Sequence, residues 1–229
     1  MSLIHTLDIN TEPSQRLLEA CATFGLAVRH TTTDTTRPTF TLEARALHAQ
    51  LKPGDLVLIQ GASGSGKSSL LDELARLATR NNHTVIRATT PPTTDPHTPH
   101  TPLIDLIDLP LADALRTLAH AGLADATMLS RSRYQLSEGE RFRLRLAQAL
   151  AASRASDRAP TTPTTLIIDE FASVLDRPTA RCLCFALRRF LARQPLTVIL
   201  ATAHDDVRAW LSPDHLIQVS HRAIQRSTP

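Results

Sequence analysis

Apolar side chains follow two rhythms along the chain. Short apolar runs at 57–59 (VLI), 166–169 (LIID) and 196–202 (LTVILAT) predict buried strands, and 84–90 (TVIRATT) reads as another. Within 68–80, Leu70, Leu71, Leu74, Ala75, Leu77 and Ala78 recur at helical spacing. Further helical runs with Leu and Ala anchors fall at 103–129 and 137–155, and a helix over 178–192 opens with Pro178 in the favoured first position. Repeated strand and helix units predict an α/β fold, a mostly parallel sheet flanked by helices on both faces. Residues 1–50, with the Thr-rich stretch 31–39, read as strands, or strand and helix, joined by loops.

Proline supplies the breaks. The segment 91–102 (PPTTDPHTPHTP) excludes a helix interior and a central strand, and 155–165 (ASDRAPTTPTT) is a loop. The expected organisation is one domain over 1–229, with a small inserted helical lobe over 91–155 entered through the Pro/Thr-rich loop. A chain of 229 residues, 42% of them apolar, has enough material for one sizeable core.

Charge changes this picture little. The formal net charge is +3, and Lys52 and Lys67 are the only lysines, a balance that permits contact with nucleic acid or an anionic surface without requiring it. Residues 131–158 hold seven Arg against Glu138, Glu140 and Asp157, which suits a solvated helix face as well as a partner surface. The aromatic interleaving of single-strand binders is missing there. Three cysteines form no disulfide framework, and Cys182 and Cys184, two positions apart on a predicted helix, point different ways and make a poor metal pair. His97 and His100 read as loop histidines, and Met128 and Trp210 as packing residues. Neither an export signal nor an apolar run long enough to span a membrane is present in the sequence, so a cytoplasmic setting is expected, with membrane contact only through a partner.

The strongest chemical signal is GASGSGKS at 61–68, between an apolar strand and an amphipathic helix. Gly61, Gly64 and Gly66, with Ser63 and Ser65, let consecutive amides turn toward phosphate oxygens, and the helix start at Ser68 and Ser69 adds further N–H groups. Lys67 is expected to reach the β- and γ-phosphates of ATP, and the Ser68 hydroxyl to bind Mg2+. The core is then of the P-loop NTPase kind. A second signal, LIIDE, sets Asp169 and Glu170 at a strand end. There Asp169 can hold the metal shell and Glu170 can act as general base on a water attacking the γ-phosphorus.

In this order, GASGSGKSS, LSEGERFRLRLAQAL, LIIDE, SVLD and ATAHDD resemble the ATP-binding cassette family of ATPases, from about Phe40 to His204. The resemblance implies a dimer of two such domains, identical or related, closed head to tail on two ATP molecules. It assigns Ser137 and Gly139 to the γ-phosphate bound by the opposite subunit, Asp176 to the dimer interface and His204 to the γ-phosphate. It also assigns Phe40 to adenine stacking, beside the plainer reading of an aromatic core residue. LSEGE taken alone is also what a capped helix start looks like.

The departures concern charge and length. The family signature reads Leu-Ser-Gly-Gly-Gln, so Glu138 and Glu140 bring two carboxylates toward a triphosphate unless Arg141 or Arg143 offsets them. Ser137 follows Lys67 by only 70 positions, and the sole Gln between them is Gln135, directly before the signature. The Gln that the family uses near Mg2+ and water is therefore not recognisable; Asp95 is one substitute, although a solvated loop acid is its plainer reading. A transporter subunit, a soluble ATPase acting on nucleic acid or a protein complex, a P-loop kinase and a non-hydrolysing ATP-binding module are the competing functions. The kinase reading leaves LSEGE, Asp176 and His204 without jobs.

Overall fold

A computed structural model describes residues 6–9, 12–30, 40–88, 100–156, 162–220 and 223–227. Where the sequence suggests one domain over 1–229, the chain divides into two compact units, Met1–Thr39 and Phe40–Pro229. In the first, strand β1 (Thr6–Ile9) pairs in parallel with β2 (Ala27–His30), and helix α1 (Gln15–Thr23) lies between them in sequence. Ser14 caps α1 by accepting from the Leu17 amide at 3.3 Å, satisfying one otherwise unpaired first-turn donor.

The second unit contains α2 (Thr41–His48), β3 (Leu56–Gln60), α3 (Lys67–Arg80), β4 (Thr84–Arg87), α4 (Leu111–His120) and α5 (Glu138–Ser156). It continues with β5 (Thr164–Ile168), α6 (Arg177–Leu191), β6 (Leu196–Thr202), α7 (Asp206–Leu211), β7 (His215–Ser220) and β8 (Ala223–Ser227). Its sheet runs β4-β5-β6-β3-β7-β8, parallel throughout except for the antiparallel β7–β8 pair.

Side chains alternate across each strand, and in the central strands β3, β5 and β6 both faces are buried. Leu56, Leu58, Val198 and Leu200 enter one core with residues of α5, α6 and α7. Val57, Ile59, Ile199 and Ala201 enter another with α2 and α3. Because a strand's side chains alternate, covering both faces favours apolar residues at successive positions, hence the largely apolar runs, with Thr164, Thr165 and Thr197 among the buried polar exceptions. Each Leu or Ile so buried contributes roughly 1.5–3 kcal/mol.

A third core joins Leu103, Leu106, Leu118, Leu123, Leu144 and Ala147 in the inserted lobe. Helix α5 serves two cores, turning Phe142, Leu146 and Leu150 to the sheet and Leu144, Ala147 and Ala151 to the lobe. The 103–129 run is not one helix. It resolves into 3-10 turns at Leu103–Leu106 and Ala126–Met128 around α4, which starts after Pro110 and ends at His120, two residues before Gly122, whose φ is +74°.

At the opposite end of the strands from the phosphate loop, the His48 and His83 rings lie 5.5 Å apart, and His83 Nδ1 is 3.0 Å from Thr165 Oγ1. Burial holds both imidazoles below the usual histidine range, and for His48 the neighbouring His83 adds to the effect. Folding therefore favours the neutral rings. Their contribution is complete above the unfolded value, near 6.5, and is lost as pH falls toward the depressed folded values. Urea unfolding should show a lower midpoint at pH 5.5 than at pH 7.5, and His83→Gln should flatten that dependence.

Candidate functional site

The phosphate loop is shaped by contacts that leave little freedom. An added Cβ on Gly61 would lie 2.2 Å from the Val219 carbonyl oxygen, so the backbone passes β7 where no side chain fits. Gly61→Ala is expected to cost about 2–3 kcal/mol in denaturant unfolding, because the obstacle is backbone and cannot swing away. Gly66, with φ +104°, begins α3 with no side-chain cap, leaving its first amides available to an anion. Ser65 donates its amide to Ala62 O at 3.2 Å, and its buried hydroxyl has no hydrogen-bond partner. The Lys67 ammonium donates to Gly61 O at 2.7 Å and Ala62 O at 2.8 Å, drawn over the loop that it is expected to serve. Ser63 and Gly64 are exposed at the tip, and Ser69 is half-buried on α3.

The second cluster meets the first at Ser68. Its Oγ donates to Asp169 Oδ2 at 2.6 Å, although 101 positions separate them. The other oxygen, Asp169 Oδ1, accepts from the Glu170 amide at 2.8 Å. Glu170 and Ala172 have φ of +50° and +60°, a left-handed turn that costs a non-glycine residue about 1 kcal/mol or more. Buried Phe171 anchors it by donating its amide to Ala201 O at 2.7 Å and accepting from Thr202 Oγ1 at 3.0 Å. Thr202 Oγ1 in turn accepts from the His204 amide at 3.2 Å, and Gln60 Nε2 donates to His204 O at 3.0 Å. Gln60 and Thr202 thus tie the ends of β3, β5 and β6 together. Sequence reading missed both, yet each is the polar last residue of a mostly apolar strand.

The third cluster lies at the start of α5. Ser137 Oγ accepts from the Glu140 amide at 3.3 Å while Glu140 Oε2 accepts from the Ser137 amide at 2.7 Å, a reciprocal capping box. A Cβ on Gly139 would come within 3.1 Å of Leu175 Cδ2 and 3.3 Å of Val174 O, so this turn lies close against the loop after β5. Asp176 caps α6, accepting from the Thr179 amide at 2.9 Å, and that bond holds its carboxyl below the usual range.

Residues 41–216 match the AAA ATPase domain family. Over 189 residues the chain is 31% identical to the aliphatic sulfonates import ATP-binding protein SsuB 1 of Rhodococcus jostii (strain RHA1), covering 77% of this chain and 72% of that protein. The chain belongs to the ATP-binding cassette ATPases. The cassette fold is also shared with the ATP-binding cassette MJ0796, solved as a dimer in a post-hydrolysis state with ADP and Pi. That match has a TM-score of 0.57 and 19% identity, and covers 78% of this chain and 87% of that one. A bacterial Atm1-family exporter with ATP bound matches at TM-score 0.54 and 17% identity, over 77% of this chain and 34% of that one.

As a cassette ATPase the chain binds and hydrolyses ATP, and its residues adapt the family pattern unevenly. Phe40 requires a correction. It is 7% exposed and packed in the core that also holds Ala44 and Leu47, so its ring has no open face for adenine. Glu140 is faced by Arg131, whose Nη1 is 4.0 Å from Oε1, and by Arg143, whereas Arg141 turns to Leu136 O at 2.8 Å. Of the two arginines expected to offset the acids, Arg143 lends Glu140 a small attraction while donating to Gly122 O and Gly139 O, and Arg141 is bonded to main chain instead. Gln135 is occupied in a local turn, accepting from the Ser132 amide at 2.8 Å. Asp95 and His97 lie outside the described residues.

Proposed function

We propose that two cassette domains of this type, two copies of the chain or one copy and a relative, close head to tail on two ATP molecules and hydrolyse them at composite sites. The observation that carries this is the 2.6 Å bond between Ser68 and Asp169, directly before Glu170 in its left-handed turn. A hydroxyl and a carboxylate so placed are hard oxygen donors suited to Mg2+, which keeps waters and phosphate oxygens as its other ligands. Bound there, Mg2+ supplies charge neutralisation at the β- and γ-phosphates. Lys67 and the amides of 61–69 orient the triphosphate. Glu170, exposed beyond the strand end, accepts a proton from the water aligned on the γ-phosphorus, and His204 contacts the same phosphoryl group. Ser137 and Gly139 belong to the opposite chain's ATP, and Asp176 to the interface between the chains.

The 31% identical relative is an import ATP-binding protein, which favours a membrane permease as the partner over nucleic acid. No helix among the described residues is long and apolar enough to cross a membrane, so contact with one falls to another chain. A cavity of about 460 Å³ beside α5, walled by Ile86, Leu106, Ala149 and Ala152, offers a docking place between the end of β4 and α5. Arg145 lines it with a buried Nε that has no hydrogen-bond partner, a cation suited to an acidic side chain of the permease.

Mixing tests the composite site. Lys67→Ala and Ser137→Arg chains are each expected to be inactive alone, and together to regain phosphate release, because a heterodimer pairs one intact phosphate loop with the opposite intact signature. Recovery is at most about half of the wild-type sites per heterodimer. Subunit exchange without recovered hydrolysis sinks the reading.

A further inference from the structure

Glu140, the last residue of LSEGE, does two things at once. As the third residue of the first turn it completes the capping box with Ser137. As a carboxylate it lays negative charge on the amide end of a 19-residue helix, the end where a helix otherwise attracts anions. The hydrogen bond from the Ser137 amide, with smaller contributions from Arg131 and Arg143, holds its carboxyl below the usual range, so it is ionised at neutral pH. The cations facing it are only partly free to answer that charge. Arg143 already donates to Gly122 O at 2.6 Å and Gly139 O at 3.4 Å, and Arg131 stands off at 4.0 Å. Glu138, exposed in the same turn, adds a second negative charge.

We propose that Glu140 is a positioning residue that sets the ATP concentration at which the two chains close, because its carboxylate competes with the opposite chain's γ-phosphate for the amide end of α5. This rests on the composite-site reading above. Closure then requires the Glu140 side chain to yield the Ser137 amide and turn toward Arg131. The chemistry of the cap makes the test clean. A capping box accepts Glu or Gln equally, so Glu140→Gln keeps the reciprocal hydrogen bonds and removes only the charge.

The experiment measures ATP-dependent dimerisation by light scattering in Glu170→Gln chains, with and without Glu140→Gln. The added substitution is expected to lower the ATP concentration for half-maximal dimerisation by about 2- to 6-fold. In otherwise wild-type chains it should lower KM for ATP more than it changes kcat. Raising the ionic strength should narrow the gap between the two proteins, since screening acts on the charge and not on the cap. Equal urea midpoints establish that the substituted chain is folded alike. Equal half-maximal ATP concentrations in the two proteins overturn the proposal, as does a difference that salt leaves unchanged. If neither protein dimerises with ATP, the composite-site reading itself fails and this one falls with it.

Discussion

Glu170→Gln is expected to reduce kcat for phosphate release by about 10²–10⁴-fold, the usual contribution of a positioned general base. ATP affinity should stay within about 2-fold, because the proposed phosphate cradle is 61–69 and the substitution removes proton affinity while keeping shape. The fold should tolerate it. The left-handed turn at 170 is imposed by buried Phe171 and by Asp169, whose carboxylate accepts from the backbone amide of residue 170, and Gln retains that amide. Phosphate release and equilibrium ATP titration on the same preparation check both halves. A rate equal to wild type would remove Glu170 from the mechanism.

Lys67→Ala should raise the Kd for ATP about 10- to 100-fold, the loss of one charge-assisted contact to phosphate. Its effect on folding should be about 1 kcal/mol or less, since the ammonium touches only the loop carbonyls of Gly61 and Ala62 and supports no core residue. The contrast with Gly61→Ala is informative. That glycine is required by the β7 backbone beside it, so its replacement should lower stability first and binding as a consequence. ATP titration and urea unfolding of both variants would separate the two causes.

The strands and the phosphate loop were legible because their signals are local. A largely apolar run is what a doubly covered strand favours: 57–59 lies within β3, the run 166–169 closes β5 and passes one residue beyond it, and 196–202 is β6. Asp169 and Ser68 could be named separately, but only the neighbouring β5–β6–β3 order brings a strand end onto a helix start 101 positions away. Phe40 carried two readings, and the core one holds, because an aromatic looks the same in sequence whether it faces a base or a core. Gln60 and Thr202 went unread because their value lies in bonds to main-chain atoms on other strands. The 103–129 run misled in a different way: its Leu spacing suits a lobe core as well as a helix, and Pro110 and Gly122 settle the matter. No helix or strand was assigned beyond His204, although α7, β7 and β8 follow, because the elements of that stretch are short.

The pairing of β3 has a consequence for synthesis of the chain. Both of its neighbours, β6 and β7, come from the last part of the sequence, so the strand that carries the phosphate loop emerges from the ribosome long before either. At about 5–20 residues per second, β3 waits on the order of 10 s with both edges open. Its apolar side chains can meet α3 in that interval, but its main-chain donors and acceptors cannot be satisfied by the sheet. A ribosome stalled before residue 196 would hold a nascent chain with the nucleotide motif exposed on an unpaired strand, a substrate for chaperones rather than a receptor for ATP.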